Sequence, residues 1–267
     1  FSDVHSLEID EQVELDKKTQ TYKAEASYWK KLYDQAIKAT AKKELIVDTI
    51  QNMAPAIHAV SIPKAKKSNG SHRPQICVAP LTDLHIGDKV EAEQMAGLNE
   101  YSIDIFNKRL FGWANTLLQL VELRRNSVPI NELVIPMLGD MISGDIHEEL
   151  ARTNIDNCMG QMIRGANLVA QALIFLAGNF PTIRVHGVVG NHGRMTRKPP
   201  MKDKYMDWDY MLYQWVAAFC REQKNITFDI PKSFVNSFEA GNKRILIMHG
   251  DSVPGSGEGT SILRQVS

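Results

Sequence analysis

The chain has 267 residues, 43% of them hydrophobic and 23% charged, and its 31 basic and 31 acidic side chains cancel to a formal net charge of zero. That composition belongs to a folded globular protein; it excludes a disordered chain and any overall field that would draw polyanions, so such a preference must be local. The three cysteines (Cys77, Cys158 and Cys220) lack CxxC spacing and fit a reducing compartment better than a disulfide scaffold.

No signal peptide is visible, and the longest apolar stretch, ANLVAQALIFLAG, is well short of the about 20 residues that span a bilayer. A soluble, cytoplasmic protein with no membrane partner is expected. Because the chain opens on Phe1 rather than Met, it is expected to be part of a longer product.

Residues 1–60 form the first segment, helical in character from about residue 10 to 58 and free of glycine and proline before Pro55. Tyr22, Ala26, Trp29, Tyr33, Ala36 and Thr40 alternate spacings of four and three, and Val47, Ile50, Ala54 and Ile57 keep the phase. This heptad-like stripe suits either packing on the chain's own domain or a coiled coil with a second copy or a partner protein. Residues 61–75 (SIPKAKKSNGSHRP within) read as a polar linker.

From residue 76 to 267 apolar runs alternate with helical periods, which predicts an α/β domain. ICVAPLT (76–82) is followed by a helix carrying Phe106, Leu110, Trp113, Leu117 and Leu120, then ELVIPML (132–138). A helix over 156–177 is expected to stop at Gly178-Asn179. TIRVHGVV (182–189), a helix around 208–222 and ITFDI (226–230) come next, and FVNSFEA and RILIM suggest a hairpin whose loop is longer than two residues.

Four of the apolar runs end in potential metal ligands. They are Asp83 and His85 in LTDLHIGD, Asp140 and then Asp145 in MLGDMISGD, Asn191 and His192 in VVGNHG, and His249 and Asp251 in LIMHGDS. Each alone reads as an ordinary turn. Together, at the strand ends where α/β sheets bind ligands, they point to one site. Carboxylates, imidazoles and an amide without thiolate suit Mn, Fe or Zn in a nitrogen and oxygen environment. Two metals about 3.5–4 Å apart can clamp both oxygens of a phosphoryl displacement, and an aspartate such as Asp140 could bridge them.

Asp-x-His, Gly-Asp, Gly-Asn-His and a strand-terminal His, in this order from Asp83 to His249, resemble the calcineurin-like metallophosphoesterase superfamily. The resemblance implies a two-sheet sandwich flanked by helices. It also implies two divalent ions, with Mn the first expectation and Fe, Zn and Mg as alternatives. Asp83 and His85 would hold the first ion, Asp140 would bridge, and Asn191 and His249 would hold the second. His192 would contact the phosphate and protonate or stabilise the leaving oxygen while a hydroxide acidified by the metals attacks phosphorus in line.

Two departures stand out. The family's Gly-His-x-His element does not follow His249 in the 18 residues to Ser267, so it is expected beyond that point. Gly193 stands where the family commonly has Asp or Glu. GDMISGD also lacks the Asp-Arg-Gly of protein serine/threonine phosphatases.

After His192 the run GRMTRKPPMKDKY carries Arg194, Arg197, Lys198, Lys202 and Lys204 within eleven residues, against one acid. Beside the metals, such a loop would track an extended polyanion, with Tyr205 and Trp208 placed to stack on bases. The reading is therefore a hydrolase, a nuclease cleaving DNA or RNA phosphodiesters and similar to the double-strand-break repair branch of the superfamily. Its rivals are a phosphodiesterase or phosphatase for small nucleotides and a degenerate fold that only binds. His147 and Glu148, soon after the bridging aspartate, are further candidates for substrate contact, and His186 reads as a hydrogen-bonded core histidine.

Overall fold

Four of the expected strands pair in parallel as a single sheet: β1 (Gln75–Val78), β2 (Ile130–Met137), β3 (Thr182–Gly187) and β4 (Ile226–Asp229), neighbours in that order. The computed structural model describes residues 56–65, 73–196 and 203–251, all within one compact unit, Ile50–Ser267. The helical stripe before residue 56, Arg197, Lys198, Lys202 and the tract after Asp251 lie outside the described residues.

Between the strands run α1 (Ile103–Arg125), α2 (Glu148–Thr153), α3 (Cys158–Ala177) and α4 (Trp208–Phe219). Their starts are written locally. Ser102 accepts from the Ile105 amide, Asn157 from the Gly160 amide and Asp207 from the Asp209 amide, each satisfying a donor of a first turn.

A strand order that advances one way with right-handed crossovers puts every helix on one face of the sheet. The main core lies there: Leu133, Ile135 and Met137 of β2 and Ile183 and Val185 of β3 meet Leu110 of α1, Leu173 of α3 and Leu212 of α4. The opposite face is covered by an antiparallel hairpin, β5 (Val235–Ala240) and β6 (Lys243–Met248). Val134 and Val188 meet Phe238 and Ile247 across that second interface. From Leu133 to Met137 β2 is thus buried on both faces, which explains the apolar run LVIPM.

His186 is the core histidine the sequence suggests: it stacks on Phe238, ring centroids 5.0 Å apart, with Nδ1 3.1 Å from Asp229.

The α3 helix stops at Gly178-Asn179 as expected, with Gly178 at φ −68° and the Asn179 side-chain amide donating to the Phe175 carbonyl. Three expectations change. The hairpin loop is two residues, Gly241-Asn242, because Ala240 pairs with Lys243; Gly241 has φ +63°, the sign a tight turn needs at its first position. Ile57, assigned to the N-terminal helical stripe, lies in a strap without regular structure and donates its amide to Phe219 at 2.8 Å. On α1, Leu120 is 60% exposed, and the stripe closes on Val121 instead.

The α1 difference sets a test. Phe106→Ala should destabilise by about 3–5 kcal/mol and Leu120→Ala by less than about 0.5 kcal/mol in urea unfolding.

Candidate metal centre

The loops leaving β1 and β2 travel side by side past the ends of their strands. Leu81 bridges Met137 and Ile86 bridges Ile142, both in parallel. Between these bridges the amide of Asp83 donates to Gly139 at 3.1 Å and that of His85 to Asp140 at 3.1 Å. Asp83, His85 and Asp140 are therefore fixed by backbone pairing before any side chain acts.

Asp83, His85 and Asp140 have φ of +51°, +43° and +51°, a left-handed conformation that costs a non-glycine residue of order 1–3 kcal/mol. Such outliers at three candidate ligands mark a site where geometry has been favoured over local stability. The third loop comes equally close. A Cβ on Gly139 would overlap the Gly190 backbone, and one on Gly190 would overlap the Asp140 carboxylate.

Asp140 is buried, and its two oxygens have separate tasks. Oδ1 accepts the amides of Asn191 at 2.7 Å and His192 at 2.8 Å. Oδ2 faces Nε2 of His249 at 3.2 Å and Nε2 of His192 at 4.0 Å. Burial alone would raise the Asp140 carboxyl, but the hydrogen bonds from His249 and from the His192 amide outweigh it and hold it down at about 2.

Each histidine is oriented from behind. His192 Nδ1 donates to the Ser143 carbonyl at 2.8 Å and His249 Nδ1 to that of Leu138 at 2.8 Å. A carbonyl only accepts, so each Nδ1 carries hydrogen and each Nε2 is presented to the site. His249 Nε2 also lies 3.1 Å from Asn191 Oδ1. The hydrogen bond to Asp140, working against burial, raises His249 to about 9. His85 moves the other way: burial, then the neighbouring His192, lower it and favour neutral imidazole.

Two donor sets result, His85 with Asp140 and His192, and Asp83 with Asp140 and His249, each with ligand atoms within 4.8 Å of one another. They share Asp140. These residues could hold a metal ion, and their imidazole and carboxylate donors suit a first-row divalent cation. His192, expected to face substrate, is thus also within reach of a ligand role. Its ring is 4.5 Å from that of His85 and 5.7 Å from that of His147, which places His147 at the same site from the residue before α2.

Other expectations separate. Arg194 follows the site, but its Nε is buried without a partner and its backbone pairs with Asp207. Lys204 pairs with Asp251, Nζ to both oxygens at 2.9 Å. Trp208 packs against the core, and Tyr205 meets Tyr210 edge-on with Lys232 Nζ 5.7 Å from its ring centre.

Sequence reasoning missed the supports behind these side chains. Asp209, fully buried in the first turn of α4, accepts from the amides of Asp140 at 2.8 Å, Met141 at 3.0 Å and Gly190 at 3.0 Å. Burial pushes its carboxyl above the usual range, as it does that of its buried neighbour Asp207. Buried Gln161 accepts from the Gly144 amide at 3.0 Å, and Asn154 accepts from the Ser143 hydroxyl at 2.8 Å, steadying the loop that orients His192. The one available signal for Asp209 was its isolation: it is the only charge in WDYMLYQWVAAF.

Gly193 also finds its reason here. A Cβ at 193 would overlap Asp207 Oδ1, so the carboxylate of residue 207 stands against the position where the family commonly carries an acidic side chain.

Comparison with protein-family models, with curated proteins and with solved structures finds no match in any of the three.

Asp209→Asn should cost about 1–3 kcal/mol in urea unfolding, because an amide nitrogen would then face backbone donors. The His249–Asp140 pair gives a pH signature. His249 is raised from 6.5 to about 9, so its contribution is full below pH 6.5 and is lost as pH rises through about 9. The depressed Asp140 contributes above 3.8 and loses this as pH falls through about 2. The Tm of EDTA-treated protein should fall between pH 6.5 and 9, and His249→Ala should flatten that fall.

Proposed function

We propose that the protein is a metal-dependent phosphodiesterase acting on nucleic acid, a member by resemblance of the calcineurin-like metallophosphoesterases. The observation that carries the reading is the sharing of Asp140 by two converging donor sets. By the resemblance, Asp83, His85 and Asp140 would hold one divalent ion and Asp140, Asn191 and His249 the other, a partition that moves Asp83 beside His85 and leaves His192 for substrate relative to the two donor sets. Bound there, two such ions, with manganese the first choice, would acidify water and neutralise charge developing on the phosphoryl oxygens.

The chain's own residues do the rest. His192, with its Nδ1 hydrogen committed to Ser143, turns Nε2 inward, where it can contact a phosphoryl oxygen and give a proton to the leaving oxygen. His147, beside it, extends the imidazole surface towards the substrate. With Arg194 Nε buried and Lys204 paired with Asp251, it is Arg197, Lys198 and Lys202 of the basic run that support a polyanionic substrate. Arg197 and Lys198 are assigned to phosphate contacts on their sequence position alone.

The test is manganese-dependent cleavage of end-labelled single- and double-stranded DNA, with metal content measured on the same samples. His192→Ala should lower kcat by about 10²–10⁴ while retaining metal, and Asp140→Asn should lose metal. Loss of an ion from His192→Ala would make His192 a ligand instead. Arg197→Ala/Lys198→Ala should weaken DNA binding and flatten its salt dependence. Hydrolysis of bis(p-nitrophenyl) phosphate with no cleavage of either DNA form would move the substrate to small phosphodiesters.

A further inference from the structure

Asp83 belongs to a second feature, a cleft of about 300 Å³ adjoining the donor sets. One wall is a face of α1, where Phe106, Arg109, Leu110 and Trp113 recur at i, i+3, i+4 and i+7. The other wall is the segment from Pro80 to Leu84, which carries Thr82 and Asp83. Tyr101 closes one side. Its hydroxyl donates to the Leu84 carbonyl, which fixes the ring, and the Arg109 guanidinium lies 5.4 Å from the ring centre.

Buried Phe106 and Leu110 belong to the main core, Trp113 and Tyr101 pack against its edge and stay partly exposed, and Arg109 is exposed. Helix α1 thus turns two further side chains, one aromatic and one cationic, into a cleft that ends at a candidate ligand.

We propose that this cleft is a base-binding subsite, receiving the heterocycle of the nucleotide whose phosphate lies at Asp83 and Asp140; the assignment rests on the phosphodiesterase reading above. Three features select a nucleobase. Aromatic walls and a guanidinium offer stacking to a flat π system, a contact that holds unpaired bases of any sequence. The cleft sets one cation, Arg109, against one carboxylate, Asp83, so it offers no net positive charge to hold a further phosphate. The volume is at the lower end for small-ligand pockets, enough for one base and not for stacked neighbours. A base must leave its stack to enter, so single-stranded or terminal nucleotides are preferred over internal duplex positions.

Calorimetric titration of the full chain in manganese, with AMP, ribose 5-phosphate and hexyl phosphate, tests this directly. AMP should bind about tenfold or more tightly than ribose 5-phosphate. Trp113→Leu should abolish that advantage, and Arg109→Ala, at an exposed position, should reduce it about two- to fivefold. Equal binding of AMP and ribose 5-phosphate, or hexyl phosphate matching AMP, would overturn the subsite. If bis(p-nitrophenyl) phosphate is hydrolysed while AMP shows no advantage, the cleft assignment falls and the phosphodiesterase stands. If nothing binds and nothing is hydrolysed, both fall.

Discussion

The carboxylate of Asp209 accepts amide hydrogens from both the loop after β2 and the loop after β3, at Asp140, Met141 and Gly190. Burying a charge this completely is unfavourable by itself, and only several aligned donors together with the start of a helix make it tolerable. The arrangement ties α4 to the ends of the two central strands. Tyr213, one turn further along α4, repeats the device, accepting from the Gly139 amide at 3.2 Å and donating to the Val188 carbonyl at 3.0 Å. The positions of Asp140 and His192 therefore depend on a helix that contributes no ligand.

That rigidity permits the strain seen at Asp83, His85 and Asp140. A left-handed residue in a free loop would relax; here the amides of Asp83 and His85 are committed to the neighbouring loop, so relaxation would break those backbone pairs. The glycines act by close approach. Gly139 and Gly190 let the β2 and β3 loops touch backbone to backbone, and Gly144, at φ +71°, lies where a Cβ would overlap the carbonyl of His192. The Gly-Asp and Gly-Asn-His pairs are thus packing requirements as much as chemical ones.

The strands and the convergence of their ends were legible in the sequence, because β2 and β3 carry apolar runs and ligand types are conspicuous at a strand end. The sharing of Asp140 between two donor sets was expected from the chemistry of a bridging carboxylate and from the resemblance, but the two-oxygen division within it cannot be read from spacing, since it arises from how parallel loops register. Asp209 sits in a first turn, where an acid is ordinary, and its partners are about 70 and 20 residues earlier in the chain, a separation no local pattern encodes. Leu120 was misplaced because a period of 3.6 drifts against spacings of three and four over a long helix, and Val121 takes the inward position by the fifth turn. The short hairpin loop was hidden because its Gly-Asn pair sits between strands with weak alternation.

Asp140 shows why such a site resists piecemeal change. Its Oδ1 holds two amides of the loop bearing Asn191 and His192, and its Oδ2 faces the histidines, so structure and chemistry draw on opposite edges of one carboxylate. A glutamate would push both edges outward by a methylene, into Gly190 on one side. An asparagine would keep the amide contacts on one edge but turn a donor towards His249, whose Nε2 hydrogen it would then oppose. Gly193 and Asp207 follow the same logic, since the space a side chain at 193 would need is already taken by a buried carboxylate from α4's first capping residue. Asp140 thus serves a loop as well as both candidate donor sets, so any change there disturbs the positions of Asn191 and His192 together with the surroundings of His249.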